Sequence, residues 1–215
     1  MTRSYAIAVA CLLLPAALAA QESGGFAVLR GADTVAIETF TRQDVELKGR
    51  LLRGAGESRE RVQYRATLVD DGSAPLVELS AWRGTDPEAS PARQTVRVIF
   101  KDDSAAVDDA SGTSGLMTRI LPTQRAAIPY LNLSTVWMEQ VTRRLLASSG
   151  DSLPVPFFNL GGGQTVTGVA RRYAADSASV RLGPVEFRFR VDPQGRILGG
   201  AVPAQGLLIL RAPAS

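Results

Sequence analysis

The sequence predicts a mainly β (α+β) domain: a curved antiparallel sheet, or half-barrel meander, with one central amphipathic helix packed on it. Three observations carry that expectation. Apolar and polar residues alternate with a period of two through most of the chain. Turn residues punctuate the alternation about every ten positions. A single stretch between residues 134 and 147 changes to the helical period.

Taken in order, strands are expected over 26–30 and 35–42 around the turn Gly31-Ala32-Asp33, and over 45–53, where Val45, Leu47 and Leu51 alternate. In 61–68, Val62, Tyr64, Ala66 and Leu68 share one face, and 76–83 runs back after Asp71-Gly72 with Val77, Leu79 and Ala81 inward. Asp-Gly between two alternating runs is a hairpin signal. Segment 94–100 places Val96, Val98 and Phe100 together. Strands over 164–172, 179–182, 185–191, 196–202 and 207–211 complete the pattern, with Gly183-Pro184 and Asp192-Pro193-Gln194-Gly195 as turns. Segments 84–93 and 102–115 read as polar loops.

The helix is expected over 134–147. Leu133, Trp137, Val141 and Leu145 form its apolar stripe, while Glu139, Gln140, Arg143 and Arg144 form a polar face. Ser134 is the expected cap at its start and Gly150 the expected stop.

Residues 1–20 read as a cleavable secretory leader. Arg3 precedes the unbroken apolar run 6–14, and Ala17-Leu18-Ala19 supplies small residues for cleavage. The run is too short to span a bilayer, and Pro15 interrupts it. The expectation is a periplasmic or secreted chain, with residues 21–215 as a single β-rich domain and no transmembrane segment after cleavage. The formal charge of +3 loses Arg3 with the leader, and arginines from Arg30 to Arg211 alternate with acids. A nucleic-acid partner would require them clustered, so none is expected.

The chain has no histidine, and Cys11 in the leader is its only cysteine. Ser-His-Asp and Cys-His catalysis, imidazole zinc sites and thiol chemistry are therefore excluded from the exported chain. Asp102, Asp103, Asp108 and Asp109 form an acidic segment without calcium-loop spacing. Gly161-Gly162-Gly163-Gln164-Thr165 lacks the lysine of a phosphate loop, and Leu116 breaks a nucleophile elbow at Ser111-Gly112-Thr113-Ser114-Gly115. The expectation is a non-enzyme with no cofactor and no metal.

The apolar run 153–158 follows the helix. Its Phe157 and Phe158, with Trp82, Trp137 and Met138, are candidates to line a pocket between sheet and helix. Apolar pockets with few polar anchors suit hydrophobic or lipid-like ligands. A leader, a long meander and a helix laid over it resemble the periplasmic lipid- and lipoprotein-carrier half-barrels of the LolA/LolB type. The ending Val185 to Leu198, a strand, a turn of the form D-x-x-G and a second strand, resembles uncharacterised exported bacterial domains, some of which precede a hydrolase. The resemblance implies an exported binding protein holding a hydrophobic ligand between sheet and helix. The alternatives are a protein-interaction domain of an exported system and an uncharacterised domain associated with hydrolases.

Overall fold

Alternation becomes strand almost wherever it occurs. The computed structural model describes residues 21–112 and 115–212; the expected leader, with Cys11, lies outside them. The strands are β1 (Glu22–Arg30), β2 (Asp33–Gln43), β3 (Glu46–Arg53), β4 (Glu60–Thr67), β5 (Leu76–Arg83), β6 (Gln94–Lys101), β7 (Ser104–Ser111), β8 (Leu116–Pro122) and β9 (Ile128–Tyr130). After helix α1 (Val136–Ala147) come β10 (Ser152–Asn159), β11 (Thr165–Ala174), β12 (Ser177–Leu182), β13 (Val185–Val191), β14 (Ile197–Val202) and β15 (Leu207–Ala212).

The structure differs from the sequence reading at three places. Segment 102–115 is mostly strand rather than loop: Asp102-Asp103 is a tight turn between β6 and β7, β7 fills 104–111, and β8 begins at Leu116. The alanines and aspartates of β7 are poor strand formers, but Ala105 and Val107 face the core while β6 and β8 supply its ladders. The run 153–158 is β10, although Pro154 and Pro156 argue against a central strand. Its parallel ladder with β9 involves only Phe157, Phe158 and Asn159, so the prolines break no bond on that side. Val45, expected in a strand, sits exposed in the turn before β3.

All fifteen strands form one sheet in the order β8-β7-β6-β5-β4-β3-β2-β1-β15-β14-β13-β12-β11-β10-β9. Neighbours pair antiparallel except β9 with β10. The edge strands β8 and β9 are consecutive in the chain and joined by residues 123–127 alone. Flat, such a sheet would separate its edges by about 65 Å. A link of five residues reaches at most roughly 20 Å, so the sheet must roll up.

It rolls past the point where its edges meet without hydrogen-bonding them. Phe157 and Phe158 point to opposite faces of β10, yet each is 1% exposed. Phe157 packs edge-on to Tyr130, and Phe158 meets Phe100 of β6 at 5.2 Å between ring centres. Thr165 Oγ1 donates to Thr123 Oγ1 (2.9 Å), tying the start of β11 to the end of β8.

Glycines set where the wall bends. In one row across the sheet, Gly24 pairs with Phe40, Phe40 with Gly49, and Gly49 with Tyr64. A Cβ on Gly49 would lie 2.1 Å from the Tyr64 ring, so only glycine lets Tyr64 lean across β3. Aromatic rings covering cross-strand glycines are a known source of sheet curvature.

Helix α1 runs through the interior of the roll, and this overturns its expected solvent face. Glu139 is wholly buried and Gln140 nearly so, together with Trp137, Met138, Val141 and Leu145. The sheet surrounds the helix from Val136 to Thr142 and leaves solvent only its last turn, where Ala147 is exposed. Trp137 meets Tyr64 at 5.5 Å between ring centres. Trp137→Ala is expected to cost about 3–5 kcal/mol of stability in chemical denaturation; a midpoint equal to wild type would show the helix unpacked.

Candidate functional site

The ends of α1 are held by side chains from distant strands. Ser134 does not cap it; the N-cap is Thr135, which makes no side-chain bond to the helix. The cap is instead the carboxylate of Glu38 in β2, which accepts from the backbone N–H of Thr135 (2.7 Å) and Val136 (3.0 Å). Ser134 Oγ (2.5 Å) and Tyr64 OH (2.8 Å) donate to its other oxygen. A carboxylate suits the positive end of the helix dipole. Burial pushes the Glu38 carboxyl above its ordinary range, more than the four donated bonds lower it, and burial beside Glu38 drives Tyr64 far up. At the other end, Arg172 Nη2 donates to the carbonyls of Leu145 (3.3 Å) and Leu146 (3.4 Å).

The middle of α1 is clamped by a buried ion network. Glu139 accepts from Arg211 Nη1 (2.5 Å) of β15 and from the Ile197 backbone N–H (2.8 Å) of β14. Glu22 accepts from Arg42 (2.6 Å) and from Arg143 (2.8 Å). Arg211 also stands over the Phe26 and Phe40 rings. Glu22 loses solvation by burial, yet the Arg42 and Arg143 charges outweigh that and hold its carboxyl below the ordinary range. Thr142 Oγ1 donates to Gly195 O (2.6 Å), which docks the Asp192–Gly195 turn on the helix. Both oxygens of Glu139 are met by donors from β2, α1, β14 and β15, which ties the helix to the wall. The network is a clamp.

Four of the five expected pocket residues are buried as core, with Phe158 on the opposite face of β10 from Phe157, against Phe100. Trp137, Met138, Phe157 and Phe158 are each 1% exposed. Where Met138 faces Val28, Leu133, Phe187, Val202 and Ile209, the space left measures about 20 Å³. That volume holds a single water. Trp82 lies on the other side of the wall: it pairs with Arg61, whose guanidinium stands 4.9 Å over its ring, and its Nε1 donates to Ser90 O in the loop at 84–93. Strand parity places it opposite Ala81, which faces inward.

The carboxylates of the expected acidic loop also diverge. Asp108 accepts from Thr118 Oγ1 (2.7 Å) and Asp109 from Gln94 Nε2 (3.1 Å), on opposite faces of β7. Among the described residues no three carboxylates converge as a metal site, and no helix is long and apolar enough to cross a membrane.

A much larger space lies on the outer wall. A groove of about 890 Å³ crosses the outer wall of β12 to β15, floored by Leu198, Leu208 and Leu210 and flanked by Tyr173, Arg188 and Arg190. Leu208 is 48% exposed and Leu210 44%. Ala27 of β1 pairs with Leu210 on one side and Ile37 of β2 on the other, so the apolar strip runs on to Ile37. Arg188 is paired with Glu186; among the described residues Arg190 has no carboxylate partner.

A helix threaded through a rolled, unclosed sheet is a distinctive layout. Two solved bacterial structures are similar to the chain in fold. A DUF1089 family protein from Pseudomonas aeruginosa matches with a TM-score of 0.58 at 14% identity, over 81% of this chain and 92% of its own. A β-barrel-like protein of the domain of unknown function DUF1849 from Brucella abortus matches with a TM-score of 0.52 at 10% identity, over 89% of this chain and 94% of its own. No family model and no curated protein matches the sequence. At such identities the likeness is one of fold, and it places the chain beside uncharacterised β-barrel-like domains.

The sequence reading missed the clamp and the outer groove. Parity held a signal for the first: in Ala36-Glu38-Phe40-Arg42 a carboxylate and a guanidinium fall on the core-facing side of β2. The same parity points Leu208 and Leu210 away from the core, opposite to Leu207 and Ile209.

Proposed function

We infer that this is an exported, non-enzymatic binding protein whose interior is scaffold and whose outer wall docks a protein partner. One observation carries the reading: Leu198, Leu208 and Leu210 stand on the outside in a groove large enough for a partner's side chains, while Trp137, Met138, Phe157 and Phe158 are buried. Exposed apolar patches rimmed by polar groups mark interaction sites. The unpaired Arg190 favours a partner segment that sets a carboxylate beside its apolar residues. A hydrophobic small molecule or lipid is the second reading, favoured by the volume of the same groove.

A photo-crosslinking side chain placed at Leu210 in the living cell tests this. The expected result is a protein adduct of discrete mass, absent when the crosslinker replaces Thr95 on the far wall. Equal labelling at both positions, or none at Leu210, would overturn the docking reading. Native mass spectrometry before and after organic extraction is expected to show the bare chain both times; a lipid mass lost on extraction would favour the second reading.

A further inference from the structure

β8 is an edge strand of an unusual kind. Among the described residues it pairs with β7 alone. Its outer face carries Leu116, 71% exposed, and Ile120, 69% exposed, with Thr118 between them. Proteins normally blunt such edges with charges, bulges or a covering element, because unpaired N–H and C=O groups template further strands. Here Arg119 is the only charge on the strand. The end of the strand is covered: Leu121 packs so closely on Gly163 that a Cβ there would lie 2.4 Å from it, and Thr123 is bonded to Thr165. The uncovered part is 116–120, and Thr118 is its centre.

That stretch is self-complementary. An antiparallel copy related by a two-fold axis at Thr118 sets Leu116 opposite Ile120 of the second molecule, and Ile120 opposite its Leu116. Both apolar pairs fall on one face. On the other face Arg119 lies opposite Met117, so like charges do not meet. Beyond Met117 in the ladder stands Asp109 of β7. An arginine side chain laid over the methionine of the other copy reaches that carboxylate, once in each direction across the axis. The apolar row Ile99–Ala106–Ile120, which ends at the free edge, would then continue into the second molecule.

The geometry points to a two-fold homodimer of this chain, made by antiparallel pairing of β8 with β8 centred on Thr118. The occupant is a second copy because pattern and charge both invert onto themselves about one residue. A foreign strand has no reason to match that symmetry.

The lone cysteine makes the register testable. In a Cys11→Ser background, Thr118→Cys carries the chain's only thiol. Facing residues of an antiparallel pair have Cα atoms about 4.5–5.5 Å apart, within the disulfide window of roughly 4.4–6.8 Å. Thr118→Cys is therefore expected to form a covalent dimer under mild oxidation. Ile120→Cys should not, since its counterpart lies about four residues away along the strand. An Ile120→Cys and Leu116→Cys mixture should cross-link again. In sedimentation the unmodified chain is expected to approach twice its monomer mass as concentration rises, and Ile120→Lys to stay monomeric. A chain monomeric at all concentrations would overturn the proposal, and so would equal cross-linking of Thr118→Cys and Ile120→Cys.

Discussion

Replacing Glu139 by leucine is expected to cost about 3–5 kcal/mol, the usual range when one partner of a buried ion pair is removed. Glu139 is wholly buried and faces guanidinium groups from three elements: Arg211 at 2.5 Å, Arg143 at 3.3 Å and Arg42 at 3.5 Å. Without it those cations keep only Glu22, and the Ile197 N–H loses its acceptor. The loss comes from uncompensated charge, so it should be largely reversible in a second step. Adding Arg211→Met to Glu139→Leu is expected to recover part of the stability, because an apolar pair can replace a buried ion pair at little net cost. A double-mutant cycle by urea denaturation measures this. Strict additivity of the two losses would show that the groups do not act together.

Glu38→Ala is expected to be about as damaging, roughly 3–5 kcal/mol, for a different reason. It strands two helix N–H groups, a buried tyrosine hydroxyl and the Ser134 hydroxyl, and each buried unsatisfied group costs about 1–3 kcal/mol. The site also has a pH signature. Burial raises the Glu38 carboxyl above its ordinary value of 4.5. As pH climbs from that value the unfolded chain releases its proton first, while the folded chain keeps it. Stability from this group is therefore complete below pH 4.5 and declines as pH rises through the raised value. Glu22 behaves in the opposite sense: its lowered carboxyl contributes above the ordinary range and loses that contribution as pH falls. Glu38→Gln removes the first slope and leaves the second. The stability difference between wild type and Glu38→Gln should shrink as pH rises from 4.5, read from thermal unfolding across the acidic range. A constant difference would show that Glu38 titrates normally, and a growing one that its carboxyl is lowered.

Both predictions rest on residues that local pattern placed only in part. Parity along β2 already sets Glu38 and Arg42 on the apolar face. Their partners could not be read, because Ser134 lies 96 residues from Glu38 and Arg211 lies 72 from Glu139. The polar stripe of α1 misled for a related reason. Glu139 and Gln140 fall opposite the Trp137 stripe, the position of a solvent face on a helix that lies on a sheet. The sheet here continues around to that side and brings its own charges to meet them. Trp82 was grouped with Trp137 on chemistry, and strand parity separates them.

The sequence by itself determined most of the strands, the single helix and the exclusion of histidine chemistry. These follow from backbone period, turn residues and residue counts, all of them local properties. Only the tertiary structure decided that the sheet rolls around the helix until Trp137, Met138 and Glu139 are buried, and that apolar side chains are left outside on β8, β14 and β15. A period of two states which residues share a face but not how sharply that face bends. The bend depends on cross-strand partners such as Gly49 beneath Tyr64, and the roll on edge strands joined by a short link.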